Sequence, residues 1–240
     1  DTIEIYVNGL SMSLPPKVQE QIVHSMKGLE EAKFIRWAYA IEYDCLPPTQ
    51  LKHSLETKRI ENLFLAGQVN CTSGYEEAAA QGLMAGLNVI RKLQGKPAFV
   101  LDRSEAYIAV LIDDLVTRGT NEPYRMFTSR AEFRLLLRQE NADERLMKYG
   151  FEFGLISEET FGRSQKTYEK VQSEIGRLKT IQVENITLEQ WLRRPENDYS
   201  KLLEAGYGNG PLSDKEIRHV EFSVKYEGYI TRQKSEVSRF

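Results

Sequence analysis

Several features that would assign a chain to a particular class of protein are scarce in this sequence. Its 240 residues include only two cysteines, Cys45 and Cys71, which excludes a disulfide-rich scaffold and suits a reducing cytoplasm. The longest unbroken apolar run, residues 106–112, is far shorter than the ~20 residues of a membrane-spanning helix. Because the formal net charge is only −3, any contact with nucleic acid must come from a local basic patch.

Signals for metal binding and nucleophilic catalysis are also weak. The three histidines, at positions 24, 53 and 219, have no cysteine or carboxylate at ligand spacing, so no metal site is predicted there. Asp113 and Asp114 could form a metal pair, but a pairing with Arg118, four residues after Asp114, is the simpler interpretation. No serine has the histidine and aspartate pattern of a nucleophile.

The chain begins at Asp1 without a leader peptide, so we expect it to be part of a longer protein.

The first 95 residues mix β-like runs with two helical patterns. Residues 3–7, 34–43 and 62–69 are rich in apolar or β-branched side chains and predict strands. A helix is predicted over residues 18–26, and a second over residues 75–93, with Gly95 and Pro97 just beyond its end.

Helix signals dominate after Pro97, and we place a domain boundary near residues 95–100. Ser129 and Ser213 each begin an S-x-x-E capping box, and Thr187 begins the T-x-x-Q form. Asn141 can cap a further helix. Five apolar residues with near-heptad spacing predict a helix packed inside this region: Phe161, Tyr168, Val171, Ile175 and Leu178.

A glycine-punctuated turn between a predicted strand and a helix is the most informative segment. Small residues follow it in the helix, and Gly82 and Gly86 suggest that something approaches that face closely, because glycine costs ~1 kcal/mol in a helix interior. The helix N-terminus, flanked by Gln68 and Asn70, suits a phosphate or the anionic edge of a reduced flavin. A plain strand–helix unit with tight packing is the open alternative.

Seven arginines and no lysine lie between residues 103 and 147. Arg130, Arg134 and Arg138 would form one ridge of a helix capped by Ser129. Such a ridge could bind RNA phosphates, with Arg125 as a further contact. It could equally be neutralised by nearby acidic residues such as Glu132, and both interpretations stay open.

Five stretches carry a resemblance to a known family. Residues 66–82, AGQVNCTSGYEEAAAQG, resemble the signature of the tRNA uridine 5-carboxymethylaminomethyl modification enzymes, the MnmG or GidA family. Residues 39–44, 121–132, 192–196 and 224–230 resemble further segments in the family's order. Cys71 departs from the pattern, because the family usually has glycine there.

The resemblance implies a mixed α/β and α fold. Residues 1–44 would be the end of a β-rich insertion domain. Residues 45–95 would supply the closing strand and helix of an FAD-binding, glutathione-reductase-like α/β domain. Residues 96–240 would form a helical domain, with the family's C-terminal bundle lying outside the chain.

The resemblance also implies a function. Family members are FAD-dependent, NADH-using enzymes that work with the GTPase MnmE in the cytoplasm, as homodimers, to add a carboxymethylaminomethyl or aminomethyl group at C5 of the wobble uridine of tRNA. FAD contacts are expected from Gln68, Asn70, Thr72, Gly74, Tyr75 and Glu76, and tRNA contacts from Arg125, Arg130, Arg134 and Arg138. The functional cysteines and the NADH site would lie upstream, so no catalytic residue and no activity are expected of these 240 residues alone.

Two alternatives remain at this stage. A related flavoprotein methylates tRNA uridine with folate, and the helical region after Pro97 would distinguish it. The other alternative is a non-catalytic module for RNA binding or assembly, which the absence of a G-x-G-x-x-G turn from the chain would fit.

Overall fold

The computed structural model describes residues 4–239, which divide into two compact units separated after Asp44. The described helices are α1 (Pro16–His24), α2 (Tyr75–Leu93), α3 (Tyr107–Asp113), α4 (Ala142–Glu152), α5 (Glu158–Thr180), α6 (Leu188–Leu192), α7 (Tyr199–Glu204), α8 (Asp214–Lys225) and α9 (Glu227–Val237). Strands β1 (Gln182–Val183) and β2 (Ile186–Thr187) pair antiparallel, with Gln182 opposite Thr187. None of the described helices is both long enough and apolar enough to cross a bilayer.

The unit of residues 4–44 is organised by the buried side chain of Gln19 in α1. Its amide nitrogen donates to the carbonyls of Leu14 and Ala38, and its oxygen accepts from the Ala38 N–H at 2.8 Å. These bonds tie the helix to the segment after it, where Phe34 and Trp37 stack with ring centroids 4.6 Å apart. The helix predicted over residues 18–26 is therefore present, shifted two residues toward the N-terminus.

The strands predicted in this unit do not form within the described residues. Residues 4–7 and 34–43 have no ladder partner, and Ile3 lies outside the described residues. Apolar side chains such as Ile5 and Tyr39 are 86% and 73% exposed. A strand forms only when its backbone hydrogen-bonds to an adjacent strand, and no adjacent strand is present among residues 4–44.

The strand predicted over residues 62–69 is also wrong. Only Phe64 pairs, in an isolated bridge with Glu56, and the chain then enters a 3₁₀ turn at Gly67–Asn70. The apolar run is nevertheless used, since Phe64 and Leu65 pack against a core that includes Leu51, Met84 and Leu115. Burial alone thus explains the hydrophobic pattern that suggested a strand.

The helical region after Pro97 is confirmed. Capping boxes at Thr187 and Ser213 begin α6 and α8. The near-heptad residues lie on α5, whose Val171 and Leu178 are fully buried in a second core with residues of α6, α7 and α8. Helix α4 begins after Asn141 as expected, but the Asn141 side chain bonds Leu136 and Arg145 instead of capping.

The helix expected after Ser129 does not form. Thr128–Arg130 is a single 3₁₀ turn, and turns continue to residue 136. Glu132, the acidic member of the expected capping box, instead forms two hydrogen bonds with Arg103, at 2.7 and 2.9 Å. Ala131 and Leu137 pack against Val110, so tertiary contacts have overridden the local capping pattern.

Candidate functional site

The turn before α2 contains two residues in the left-handed region of backbone conformation. Gly67 has a φ of 76°, and a Cβ there would lie 3.2 Å from the Cβ of Ala78, so glycine allows the turn to sit against α2. Cys71, where the family pattern has glycine, has a φ of 57°. A side chain adopts this conformation at a cost of about 1–2 kcal/mol, which identifies the turn as locally strained.

Gln81, on the buried face of α2, holds this turn in place. Its side-chain oxygen accepts hydrogen bonds from the Gly67 N–H at 3.2 Å and from the Asn70 amide at 2.8 Å. Its nitrogen donates to the Thr72 hydroxyl at 3.0 Å. Gln81 is fully buried, and sequence reasoning missed its role. The sequence does contain a signal for this role, namely a glutamine among the small and apolar residues of a helix. A glutamine buried there needs hydrogen-bond partners, and the polar turn before the helix could supply them.

The six residues expected to contact a cofactor divide into two groups. Gln68, Tyr75 and Glu76 are exposed, and Tyr75 is 91% exposed. Asn70 and Thr72 are 1% and 3% exposed and face Gln81, while Gly74 is buried beneath the carboxylate of Glu77. The first group can reach a ligand, whereas the second group shapes the turn. The Oδ1 atom of Asn70 is buried and has no hydrogen-bond donor among residues 4–239.

Glu77 places a carboxylate at the N-terminus of α2. This carboxylate accepts a hydrogen bond from the Met126 N–H at 2.9 Å and lies 3.3 Å from the guanidinium of Arg125. Burial raises the pKa of Glu77, but hydrogen bonds from Met126 and from its own N–H, with the charge of Arg125, lower the pKa below its ordinary value overall. A negative charge therefore already offsets part of the positive potential of the helix N-terminus.

Among residues 4–239, the small-residue face of α2 is open. A Cβ built on Gly82 or Gly86 would meet no described atom within 4 Å outside the adjacent backbone of α2. Leu83 and Ile90 beside them are 53% and 52% exposed. The close approach expected at these glycines is thus not made by any described residue.

Arg103 is the centre of a second polar cluster. It contacts Asp113 at 2.9 Å and Asp114 at 2.8 Å, besides its two bonds to Glu132. The Tyr124 hydroxyl donates a hydrogen bond to Asp114 at 2.8 Å. Burial is the main reason that the pKa of Tyr124 is raised above its ordinary range, and this hydrogen bond raises it too. Asp114 is therefore held mainly by Arg103, since Arg118 reaches it only at 3.8 Å, while Asp113 is shared between Arg103 and the His53 ring, whose Nε2 lies 3.0 Å from it.

Arg130, Arg134 and Arg138 do not form the expected ridge, because the helix that would align them is absent from the described residues. Arg125 contacts Glu77, and Arg130 stacks on the Tyr124 ring at 4.3 Å. Arg134 is exposed and forms no ion pair within residues 4–239. Arg138 is half-buried, with its guanidinium 3.6 Å from the centre of the Phe222 ring.

Comparison with known proteins gives consistent matches along the chain. The family described as "Glucose inhibited division protein A" matches residues 1–97, and the "tRNA modifying enzyme MnmG/GidA C-terminal helical domain" matches residues 158–234. A Syntrophobacter fumaroxidans protein named "tRNA uridine 5-carboxymethylaminomethyl modification enzyme MnmG" is 49% identical, with 100% of this chain and 40% of that protein covered. A protein of the same name from Thermus thermophilus is 52% identical over 97% of this chain and 39% of its own length. The chain belongs to the MnmG/GidA family.

Solved structures of the MnmG/GidA family match the same residues. Aquifex aeolicus GidA in its form II crystal is similar with a TM-score of 0.88 and 42% identity, covering 100% of this chain and 41% of that one. The form I crystal gives the same TM-score with 44% identity. The chain therefore spans about 40% of the length of the family members it matches.

The two cysteines are neighbours at the departure from the MnmG/GidA pattern. The Cys71 thiol lies 3.3 Å from the carbonyl of Leu46 and also contacts the Cys45 side chain. Burial, with a smaller contribution from Cys45, raises the pKa of Cys71 to about 11. Cys45 is exposed, and both thiols are free. A raised pKa leaves little thiolate at neutral pH, so Cys71 is a poor nucleophile.

Proposed function

We propose that this chain is part of an FAD-dependent enzyme that works with the GTPase MnmE to add a carboxymethylaminomethyl or aminomethyl group at C5 of the wobble uridine of tRNA. The observation that carries the proposal is the identity of about half of all residues, along the whole chain, with proteins named for that modification. NADH use, a homodimeric state and a cytoplasmic location follow from the same family membership and belong to the proposal.

The turn before α2 is the part of the chain that we assign to FAD. Its exposed Gln68 amide and its small residues fit the polar edge of a flat ring, and the open face of α2 leaves room for a covering segment. The unpartnered Oδ1 of Asn70 indicates that a donor from outside the described residues completes the turn, since buried acceptors are normally satisfied. When bound, FAD would supply the redox chemistry, and the chain's task is to position it.

Within this assignment the residues have different roles. Gln68 would hydrogen-bond the flavin, and Tyr75 and Glu76 would border it. Asn70, Thr72 and Gly74 would shape the turn, because their side chains or backbone are buried against Gln81 and Glu77. The carboxylate of Glu77 favours contact with a neutral or donor group over a phosphate at this helix end.

The tRNA contacts that we propose come from Arg125, Arg130, Arg134 and Arg138. Arg134 supports this role most directly, because it is exposed and carries an uncompensated charge among the described residues. Arg130 is exposed, with its guanidinium 4.3 Å from the centre of the buried Tyr124 ring, and an arginine so placed can also contact a nucleotide.

The family match over residues 158–234 favours this function over a folate-dependent tRNA methyltransferase, for which the helical region was the distinguishing feature. To test the function, a polypeptide of the relatives' length that contains this chain would be expressed in bacteria that lack their own family member. We expect a flavin absorption spectrum in the purified protein and recovery of the modified uridine in tRNA hydrolysates, measured by mass spectrometry. A flavin-free protein that binds tRNA without modifying it would instead support the RNA-binding module.

Gln68→Ala in that polypeptide tests the flavin assignment separately. A lost hydrogen bond to the ring corresponds to about 0.5–1.5 kcal/mol, or roughly a two- to tenfold weaker FAD affinity. Equilibrium dialysis and the flavin reduction potential are the measurements, with Gln94→Ala at the far end of α2 as the control. An unchanged affinity together with an unchanged potential would remove Gln68 from the site.

A further inference from the structure

A cleft of about 470 Å³ lies in the helical region, away from the turn before α2. Its walls come from α4 and the turn before it, from one face of α5, from α8 and α9, and from Ser104 and Glu105 before α3. Clefts of this volume are in the range of small-ligand sites. Nothing in the function proposed above uses it as a whole.

Two half-buried arginines, Arg138 and Arg145, line the cleft. Neither has a carboxylate within ion-pair distance among residues 4–239, and Glu144 acts on both only as a nearby charge. Arg145 donates to three neutral acceptors, namely Oδ1 of Asn141 and the carbonyls of Glu105 and Arg138. Arg138 donates to the Leu135 carbonyl, and its buried Nε has no partner among residues 4–239. Burial lowers the pKa of both guanidiniums, so their charges are held in place at a cost that an anion would offset.

The other charged groups of the cleft leave this positive charge in excess. Glu227 is already paired with Lys179 at 2.6 Å and with Arg193. Glu105 lies 3.9 Å from Lys148. Burial lowers the pKa of His219, 3.6 Å from Glu144, and favours its neutral form, so Glu144 is the carboxylate of the lining that competes with a ligand for the two arginines. Lys234 adds a cation at the rim.

We propose that this cleft binds a phosphate group on Arg138 and Arg145, with Lys234 as a further cation. A guanidinium offers a planar fork of donors that matches phosphate oxygens, and the hydrogen-bond partners of both arginines here are neutral, so no ion pair has to break before a phosphate binds. The phosphate belongs either to an RNA backbone or to a free nucleotide, because both present the same chemistry. The proposal does not rest on the flavin or tRNA assignments, since inorganic phosphate can test it alone.

The experiment titrates the full chain with inorganic phosphate by calorimetry. We expect saturable binding that Arg145→Gln abolishes. Because Arg145 also holds three backbone or side-chain oxygens, its loss could unfold the cleft, so Glu144→Gln is the decisive variant. Removing that competing negative charge should tighten phosphate binding about two- to fivefold, which an unfolded protein cannot do. Lys234→Gln should weaken binding by a similar factor, and Arg163→Gln, an exposed change on α5 outside the cleft, should leave it unchanged.

Competition then identifies the source of the phosphate. Displacement of inorganic phosphate by tRNA assigns the site to an RNA backbone, and displacement only by a mononucleotide assigns it to a free nucleotide. Either result supports the site. No saturation by phosphate, or an affinity that Glu144→Gln does not raise, would overturn it, and neither result would bear on flavin binding or on uridine modification.

Discussion

Two polar centres meet in the unit of residues 45–239, at the bridge between Thr72 and Tyr124. On one side, Gln81 satisfies neutral groups through amide and hydroxyl hydrogen bonds. On the other, Arg103 gathers the carboxylates of Asp113, Asp114 and Glu132. The Tyr124 N–H donates to the Cys71 carbonyl at 2.8 Å, so each centre positions the other's backbone.

The difference between the centres concerns how each responds to solution conditions. Hydrogen bonds between neutral groups keep their strength across the ordinary pH range, because no partner titrates. The Arg103 centre includes Asp113 and Glu132, whose pKa values are lowered in the folded protein, so acid should weaken it. The hydrogen bonds that Gln81 makes to the turn therefore do not titrate, whereas the Arg103 cluster beside the turn, and the Glu77 carboxylate at its end, do.

Loss of the charged centre should have the largest effect. Arg103→Gln leaves Asp114, which is 5% exposed, without its main cation, and we expect a loss of about 3 kcal/mol in the free energy of unfolding. Urea denaturation at neutral pH measures it. Arg118→Gln is the matched control, because Arg118 is 76% exposed and only 3.8 Å from Asp114. Equal stability losses in the two variants would show that Arg103 does not hold the cluster.

Loss of the neutral centre should have a somewhat smaller effect. Gln81→Leu keeps the helix and its volume but leaves the Gly67 N–H and the Asn70 amide unpaired, for an expected loss of about 2 kcal/mol. Gln68→Ala, on the exposed side of the same turn, should change stability little. A Gln81→Leu protein as stable as the parent would mean that the turn is held by packing alone.

The pH dependence of stability should separate the centres. Burial raises the pKa of Asp113, but the contacts with His53 and Arg103 outweigh burial and bring this pKa below its ordinary value. The hydrogen bonds from Arg103 likewise lower the pKa of Glu132. A carboxyl whose pKa is lower in the folded state stabilises above its unfolded pKa, and this stability is lost as the pH falls from about 4.5. Arg103→Gln should therefore lose less stability than the parent between pH 5 and pH 3.

Gln81→Leu is the control for this pH series and should retain the parent's full acid sensitivity. Some sensitivity will remain in both variants, because a hydrogen bond from Lys92 and others lower the pKa of Glu56 to about 2. Parallel pH curves for the parent and Arg103→Gln would contradict the assignment of acid sensitivity to this centre.

Sequence reasoning found the elements that local signals determine. The bounds of α2 were predicted to the residue, and the caps at Thr187 and Ser213 were correct, because each depends on side chains within one turn. The strands over residues 34–43 and 62–69 failed because a strand is defined by partners distant in sequence. The Ser129 cap failed because Arg103, 29 residues before Glu132, competed for its carboxylate.

The candidate site was predicted in the same way: its position followed from local sequence, but its contacts with distant residues did not. The motif located the turn, but it could not tell Gln68, which is exposed, from Asn70, which faces Gln81. Spacing alone also placed Arg134 and Arg138 on one surface, whereas the turns after residue 131 send Arg138 against Phe222. Which side of an irregular segment faces solvent is determined by packing that a one-dimensional pattern does not contain.

Replacing Arg134 should have the smallest effect of these changes, and it tests whether this solvent-facing arginine binds tRNA or stabilises the fold. Arg134→Gln should reduce tRNA affinity and lower the magnitude of the slope of log K against log salt by roughly 0.7–0.9, because one phosphate contact is lost. Its melting temperature should stay near that of the parent, since Arg134 is exposed and unpaired among residues 4–239. Filter binding at several salt concentrations, alongside thermal denaturation, measures both quantities.

Arg138→Gln is the comparison that gives the Arg134 result its meaning. Arg138 packs on Phe222 and bonds the Leu135 carbonyl, so its replacement should lower the melting temperature as well as the tRNA affinity. Arg163→Gln, exposed on α5, controls for the loss of one positive charge anywhere on the surface. If Arg134→Gln matches Arg163→Gln in affinity and in salt slope, Arg134 makes no phosphate contact, and the proposed tRNA surface loses its most exposed member.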